Sequence, residues 1–411
     1  MKLSPSSSSE RLSAIDIFRG LAVFGIFLVN ILYMSTTSVF YERNGVVPEG
    51  ETELDGSLKH MIELIFSGKM YPVLAFLFGV GFYFLMSRAE RKGIRVRRFF
   101  LKRMSILFLI GAAHMILFYG GDILRTYAIL GCLLLLFYRR RDKTILTWAV
   151  SILVLFLLSF SLSFLTPASD LDESYEANYA IAEREAAEAA EAYQSGHYGK
   201  WMSFHIEEEV LPALAMEQIT YPGVFGMMLL GFYCGRVDLF SRVKELAPRL
   251  RAIRDITGSA SVLITGLLAL IRFGNWETGA YEAAVTQWLI YGCGIIVSLF
   301  YMTALLLALQ LPSVQKLLGP FRLVGRMTLT NYLLQSAISI AVFAGFGLFG
   351  TLAVWQVLAY CSIVIALEIL FSVWWMSRFA YGPAEWLWRR WTYGKLDNDK
   401  AAAAASKEVN A

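Results

Sequence analysis

The sequence predicts an all-α polytopic membrane protein of about ten transmembrane helices, with both termini in the cytoplasm. Three observations predict it. The 411-residue chain is 57% hydrophobic and 17% charged, whereas a soluble domain carries about 25% charge. Ten apolar runs approach the length of about 20 residues that crosses a bilayer core of about 30 Å. Between them the basic residues alternate. Arg88 to Arg103 holds eight Lys/Arg, Arg139 to Lys143 four, Arg236 to Arg254 six and Lys316 to Arg326 three. With the termini these account for 30 of 37, which the positive-inside rule assigns to the cytoplasm. The other loops carry only Arg43, Lys59, Lys69, Arg125, Arg184, Lys200 and Arg272.

The predicted spans are 15–34, 70–86, 101–119, 122–138, 144–165, 220–235, 256–273, 284–311, 327–344 and 351–376. The first carries Asp16 and Arg19 near its start and no small-residue cleavage site after Met34, so it reads as a retained span rather than a signal peptide. Asp16 and Arg19 are three apart and able to pair on a helix. Arg19 is either the cationic half of a structural pair or a holder of an anionic group such as a cofactor phosphate. Asn30, deeper in the run, suits an interhelical hydrogen bond or a substrate contact. At the second span, Lys69 and Tyr71 sit at the outer mouth, and Gly79 and Gly81 permit close helix packing.

The third span contains His114, eleven residues after Arg103, about 16 Å along a helix and near the bilayer midplane. An ionisable group at that depth marks a functional site. A neutral histidine tied to a neighbouring helix is the plain alternative; a general base or acyl carrier is the chemical one. Asp122 follows eight residues later, about 12 Å along a straight helix, so it is not expected to orient the imidazole unless the helix breaks early. Its turn, Tyr119-Gly120-Gly121-Asp122-Ile123-Leu124-Arg125, joins the third and fourth spans on the outer side.

Between the fifth and sixth spans, Ala168 to Glu217 holds twelve acids and two Lys/Arg. Its Ala/Glu-rich stretch 177–193 favours helix, read as a solvated outer helix or a lid. It divides the chain into a five-helix half (1–165), the acidic loop (166–219) and a second five-helix half (220–396), before a disordered tail (397–411). No repeat relates the halves, so inverted-repeat transporter symmetry has no support. Gly231 and Gly235 form a packing pair. Thr328, Asn331 and Gln335 form one polar stripe, which binds a hydroxylated acceptor or ties helices together. At the end, 381–393 is rich in Trp, Tyr and Arg and suits an interfacial helix with Glu385 and Arg389 paired.

Cys132, Cys234, Cys293 and Cys361 lie inside apolar runs and serve packing. His60, His197 and His205 read as outer surface residues. No zinc spacing, phosphate-binding loop or Gly-x-Ser-x-Gly elbow occurs, so no metal is expected, and nucleic-acid binding is excluded.

Five ordered motifs carry a resemblance: Asp16-Ile-Phe-Arg-Gly-Leu-Ala with Gly25-Ile-Phe-Leu-Val-Asn; Ser67-Gly-Lys with Leu77-Phe-Gly-Val-Gly-Phe; Gly120-Gly-Asp-Ile-Leu-Arg-Thr-Tyr-Ala; Gly325-Arg-Met-Thr-Leu-Thr-Asn-Tyr; and Tyr381-Gly-Pro-Ala-Glu-Trp. On these the chain resembles the bacterial YeiB-like family, whose C-terminal half is the domain of unknown function 418. Its opening half is similar to transmembrane acyltransferases such as heparan-alpha-glucosaminide N-acetyltransferase, which transfer an acyl group from acyl-CoA to a sugar across the membrane. The resemblance implies an enzyme of the bacterial inner membrane with His114 catalytic and no tightly bound cofactor. Acyl-CoA phosphates would meet Arg19 and the basic stretch Arg95 to Arg103, and an extracytoplasmic glycan or lipid-linked saccharide would meet Asn30, Lys69, Asp122, Arg125, Asn331 and Gln335. A homo-oligomer is compatible with this reading. The competing reading is a small-molecule carrier or exporter whose path is lined by Asn30, His114, Asn331 and Gln335.

Overall fold

A computed structural model describes residues 13–394 apart from 50, 94, 275 and 277, and omits the side chains of 170 and 172–174. The predicted tail lies outside the described residues. Among them the chain is helical and contains no strand. The helices are α1 (Ser13–Ser35), α2 (Ser38–Arg43), α3 (Glu53–Ile65), α4 (Met70–Arg91), α5 (Val96–Leu117), α6 (Leu124–Leu134), α7 (Asp142–Phe160), α8 (Ala168–Gln194), α9 (Tyr198–Phe204), α10 (Leu211–Met216), α11 (Tyr221–Arg236), α12 (Val243–Arg272), α13 (Glu282–Gln287), α14 (Gly294–Ala308), α15 (Pro312–Leu317), α16 (Gly319–Arg326), α17 (Thr328–Phe343), α18 (Val354–Met376) and α19 (Pro383–Tyr393).

Every predicted span falls on helical chain, and among the described residues seven helical segments are long and apolar enough to cross a membrane. The predicted spans at 122–138, 220–235 and 327–344 form shorter helices, α6 of 11 residues and α11 and α17 of 16 each. At about 1.5 Å per residue these reach only about 16 and 24 Å. Much of α11 and α17 is buried, including Met227, Met228, Leu229, Phe232, Asn331, Tyr332 and Phe343. Lipid instead meets the outer helices, where Leu155, Ile256, Val262, Leu263 and Leu370 are each more than 60% exposed.

Glycines set the closest helix contacts. A Cβ on Gly79 would lie 1.9 Å from the Met228 carbonyl oxygen, and one on Gly231 would lie 1.9 Å from that of Phe76. The glycines predicted for packing therefore bring α4 and α11 backbone to backbone. The opening motif meets the fourth in the same way: Gly20 lies against the Phe321 carbonyl and Gly325 against that of Asp16. The fifth motif caps the fourth. Glu385 accepts from the Leu329 N–H at 2.7 Å, the Thr330 N–H at 3.1 Å and the Thr330 hydroxyl at 2.6 Å. This corrects the expected Glu385–Arg389 pair, because the open N–H groups at the start of α17 take the carboxylate. Arg389 lies over the Tyr381 ring at 4.3 Å.

Glu385→Ala is expected to leave those donors without their carboxylate and to destabilise the fold by about 1–3 kcal/mol. Denaturation of the detergent-solubilised protein measures this. A midpoint equal to wild type would refute the capping role.

Candidate functional site

The helix breaks early, the one condition under which Asp122 is expected to reach His114. The helix α5 ends at Leu117, and Phe118 leaves helical geometry at φ −139° and ψ −51°. The His114 carbonyl accepts from the N–H groups of both Phe118 and Tyr119, at 2.9 and 3.2 Å. The chain then reverses through Gly120 and Gly121, where a Cβ on Gly121 would lie 2.7 Å from the Tyr119 ring. This reversal carries Asp122 back alongside the last turn of α5. Its Oδ2 lies 2.8 Å from His114 Nδ1, and its Oδ1 accepts from the Arg125 N–H at 2.9 Å. Gly111, one turn before His114, makes room, since a Cβ there would lie 2.7 Å from Asp122 Oδ1.

The pair is buried, with His114 2% and Asp122 4% exposed. A carboxylate beside Nδ1 fixes the tautomer with Nδ1–H as donor, leaving the lone pair on Nε2. His114 Nε2 is buried and has no hydrogen-bond partner among the described residues. The Tyr332 ring stands 4.9 Å from the imidazole. Its hydroxyl accepts from the Ile123 N–H at 3.4 Å, so α17 closes the site. Because α5 starts at Val96, His114 lies in its last turn, about 27 Å along the helix.

The other expected site residues are dispersed. Arg19 faces Asp16 at 3.4 Å. Arg103 lies over the Trp388 ring of α19 at 3.6 Å, and the Trp388 indole N–H donates to the Arg103 carbonyl at 3.1 Å. Lys69, expected at an open mouth, is 1% exposed and donates to the Glu63 carbonyl at 2.7 Å. Arg125 pairs with Glu217, which also accepts from the hydroxyls of Thr126 and Tyr221. Asn30 is half-buried without a hydrogen bond among the described residues. Asn331 and Gln335 tie α17 to α18: Asn331 Nδ2 donates to Ser372 Oγ at 3.1 Å, and Gln335 Nε2 donates to Glu368 at 2.8 Å.

Two concavities flank α5. At its start, Arg95, Arg97, Arg98, Leu101, Lys102 and Ser105 line an open basic groove of about 550 Å³. At its end, a cleft of about 360 Å³ runs between α5, α8–α9 and α17, lined by Leu117, Phe118, Tyr193, His197, Trp201 and the small face Ala337–Ala341–Ala344. Phe118 separates this cleft from the imidazole, its ring centre 6.1 Å from that of His114.

The acidic segment seals this end. Ala182, Ala186, Ala189 and Tyr193 form a buried stripe on α8, while Glu183, Glu188 and Glu191 face outward and Glu185 pairs with Arg43. The expectation that His205 is a surface residue is overturned. It is fully buried at the start of a π-helical turn, His205–Val210, with Trp201 stacked on its ring at 5.0 Å. Its Nδ1 faces Glu209 at 2.5 Å and its Nε2 faces the Met115 carbonyl at 2.9 Å. The loop thus docks one residue from the candidate base.

Burial works against protonation of His205, but the Glu209 carboxylate and the Met115 carbonyl outweigh it and raise the pKa above 6.5. A raised histidine pKa gives stability that is fully present below the unfolded value and is lost as pH rises through the folded one. The thermal midpoint is therefore expected to fall as pH rises above about 6.5, and this slope should shrink in His205→Gln. An equal slope in both proteins would contradict the contact.

The C-terminal region, residues 234–395, matches the family model described as protein of unknown function DUF418. The chain is 30% identical over 405 residues to the Uncharacterized protein YxaH of Bacillus subtilis (strain 168), covering 95% of this chain and 96% of the relative. It is 28% identical over 400 residues to the Uncharacterized protein YeiB of Escherichia coli (strain K12), covering 93% and 96%. A 39.9 kDa protein in the amylase 3′ region of Bacillus acidopullulyticus is 27% identical over 406 residues, covering 96% and 97%. No solved structure matches. Similarity to relatives over nearly their whole length, with the C-terminal match, identifies the chain as a multi-pass membrane protein of the YeiB-like DUF418 family.

Proposed function

We propose that the chain is an acyltransferase of the bacterial inner membrane, moving an acyl group from cytoplasmic acyl-CoA to a hydroxylated extracytoplasmic acceptor, a sugar or lipid-linked saccharide. The Asp122–His114 pair with its unpartnered Nε2 carries this reading. A carboxylate-oriented imidazole with one free nitrogen suits general-base catalysis. Nε2 takes the proton of the acceptor hydroxyl as that oxygen bonds to the thioester carbonyl carbon. As the carbon–sulfur bond breaks, the same proton passes to the CoA sulfur. Asp122 holds the tautomer and stabilises the transient imidazolium.

The basic groove at the start of α5 suits the donor's phosphates. The apolar cleft beside Phe118 suits the hydrocarbon part of a lipid-linked acceptor. Arg19 and Arg103 have local partners, so the exposed basic residues of the groove are the better phosphate contacts. A carrier path draws less support, because Asn331 and Gln335 are engaged between helices.

The test is binding followed by turnover. Coenzyme A should raise the thermal midpoint in a concentration-dependent way, and acetyl-CoA with membrane lipid extract should release free thiol. No stabilisation by any CoA species, together with solute uptake in proteoliposomes, would sink the enzyme reading and favour the carrier.

A further inference from the structure

Apart from the His114 site, α17 and α18 are joined by a buried polar ladder. Asn331 meets Ser372, Gln335 meets Glu368 at the next turn, and Ser339 meets Tyr360 at 3.2 Å beyond it. Glu368 is 3% exposed within a 23-residue apolar helix, and Asn331 is fully buried. Two oxygens lack a donor among the described residues, Glu368 Oε1 and Asn331 Oδ1. Gln335 donates a hydrogen bond to Glu368, and among the described residues the titratable groups interacting with Glu368 are Tyr360 and Cys361 of its own helix. Neither is cationic. From α17 the facing groups are the neutral Gln335 and Asn331; among the described residues α1, α3 and α16 bring no charged group into a pair with it, Asp55 of α3 meeting α18 at the Val354 N–H, fourteen residues away.

An ionised carboxylate here would be an isolated charge in the apolar layer, which is costly. An added proton removes the charge and turns the acceptor-only Oε1 into a donor. The second orphan supplies an acceptor. Glu368 and Ser372 are four residues apart, as are Asn331 and Gln335, so the two rungs are separated by about 6 Å of helix rise.

We propose that Glu368 is a proton-binding site of the C-terminal half, with Gln335 and Asn331 as its recognition groups and H⁺ as its ligand. The carboxylate takes up a proton from water to form the neutral carboxylic acid and returns it on ionisation; no other reactant is needed. The proposal is independent of the acyltransfer reading.

Infrared difference spectroscopy of the full chain in lipid nanodiscs tests it. Wild type at about pH 6 should show the carbonyl stretch of a buried, protonated carboxylic acid. The band should shift in D₂O and be lost in Glu368→Gln. A wild-type spectrum without the band, or the same band in folded Glu368→Gln, would overturn the proposal. Should that variant fail to fold, wild type carries the test through dicyclohexylcarbodiimide. The reagent takes the acid proton on nitrogen while the carboxyl oxygen bonds to its central carbon, and the adduct rearranges to a stable N-acylurea found by peptide mass spectrometry. Labelling at Glu368 should fall several-fold between about pH 6 and about pH 9. Labelling that is pH-independent or absent, or that sodium ions suppress at fixed pH, would refute proton binding.

Discussion

Replacing His114 with Ala is expected to reduce acyl transfer by about 10²–10⁴-fold, the range that a positioned general base contributes. The loss should fall on the chemical step. His114 is remote along α5 from the basic groove, so stabilisation by coenzyme A should persist in the variant. His114→Gln keeps a polar side chain of similar reach and loses the base, separating catalysis from packing. Asp122→Asn provides the orthogonal check. An amide in place of the carboxylate can present an N–H toward Nδ1, favouring the opposite tautomer and placing the proton on Nε2. Its transfer rate should also fall by about 10²-fold or more. The Arg125 N–H still has an oxygen to meet, so α6 should remain in place. Full transfer by His114→Ala would remove the histidine from the mechanism, and CoA binding would then have to be explained without it.

The all-helical, membrane-spanning fold was legible because long apolar runs are a one-dimensional signal that survives without tertiary information. The His114–Asp122 contact was not. Eight residues on a continuous helix keep two side chains apart, and only the end of α5 at Leu117 brings them together. The signal was present in Gly120-Gly121, a pair suited to chain reversal, and in Gly111, whose missing Cβ admits the returning carboxylate. His205 was obscured by its acidic neighbourhood. The alanine spacing on α8 and the aromatics around Trp201 bury it, and such a face becomes evident only when the docking partner is known. Glu217 and Glu368 were missed for opposite reasons. Glu217 sits among many acids, whereas Glu368 is a lone carboxylate in an apolar run, the kind of residue membrane physics marks as functional. Asn331 and Gln335 were legible as a stripe, but their partners on α18 required the three-dimensional pairing.

Gly325→Ala is expected to have the largest effect on stability, although it adds one methyl group. The new Cβ would lie 1.7 Å from the Asp16 carbonyl oxygen, a backbone atom within α1. Rotamer changes cannot relieve that overlap; α1 and α16 must separate. Separation opens the reciprocal contact of Gly20 with the Phe321 carbonyl and loosens the edge-on packing of Phe24 against Phe321, whose ring centres are 5.9 Å apart. Overpacking of a rigid contact costs about 1–3 kcal/mol or more, and two coupled contacts place this substitution at the upper end. The contrasting control is Gly266→Ala on α12, where no atom lies within 4 Å of the added Cβ and alanine's higher helix propensity favours the folded state by up to about 1 kcal/mol. Midpoints of thermal unfolding in one detergent would separate them: Gly325→Ala well below wild type, Gly266→Ala at or above it. Equal midpoints for the two variants would mean that the opening and fourth motifs are not locked together by backbone contact, leaving their glycines in need of another explanation.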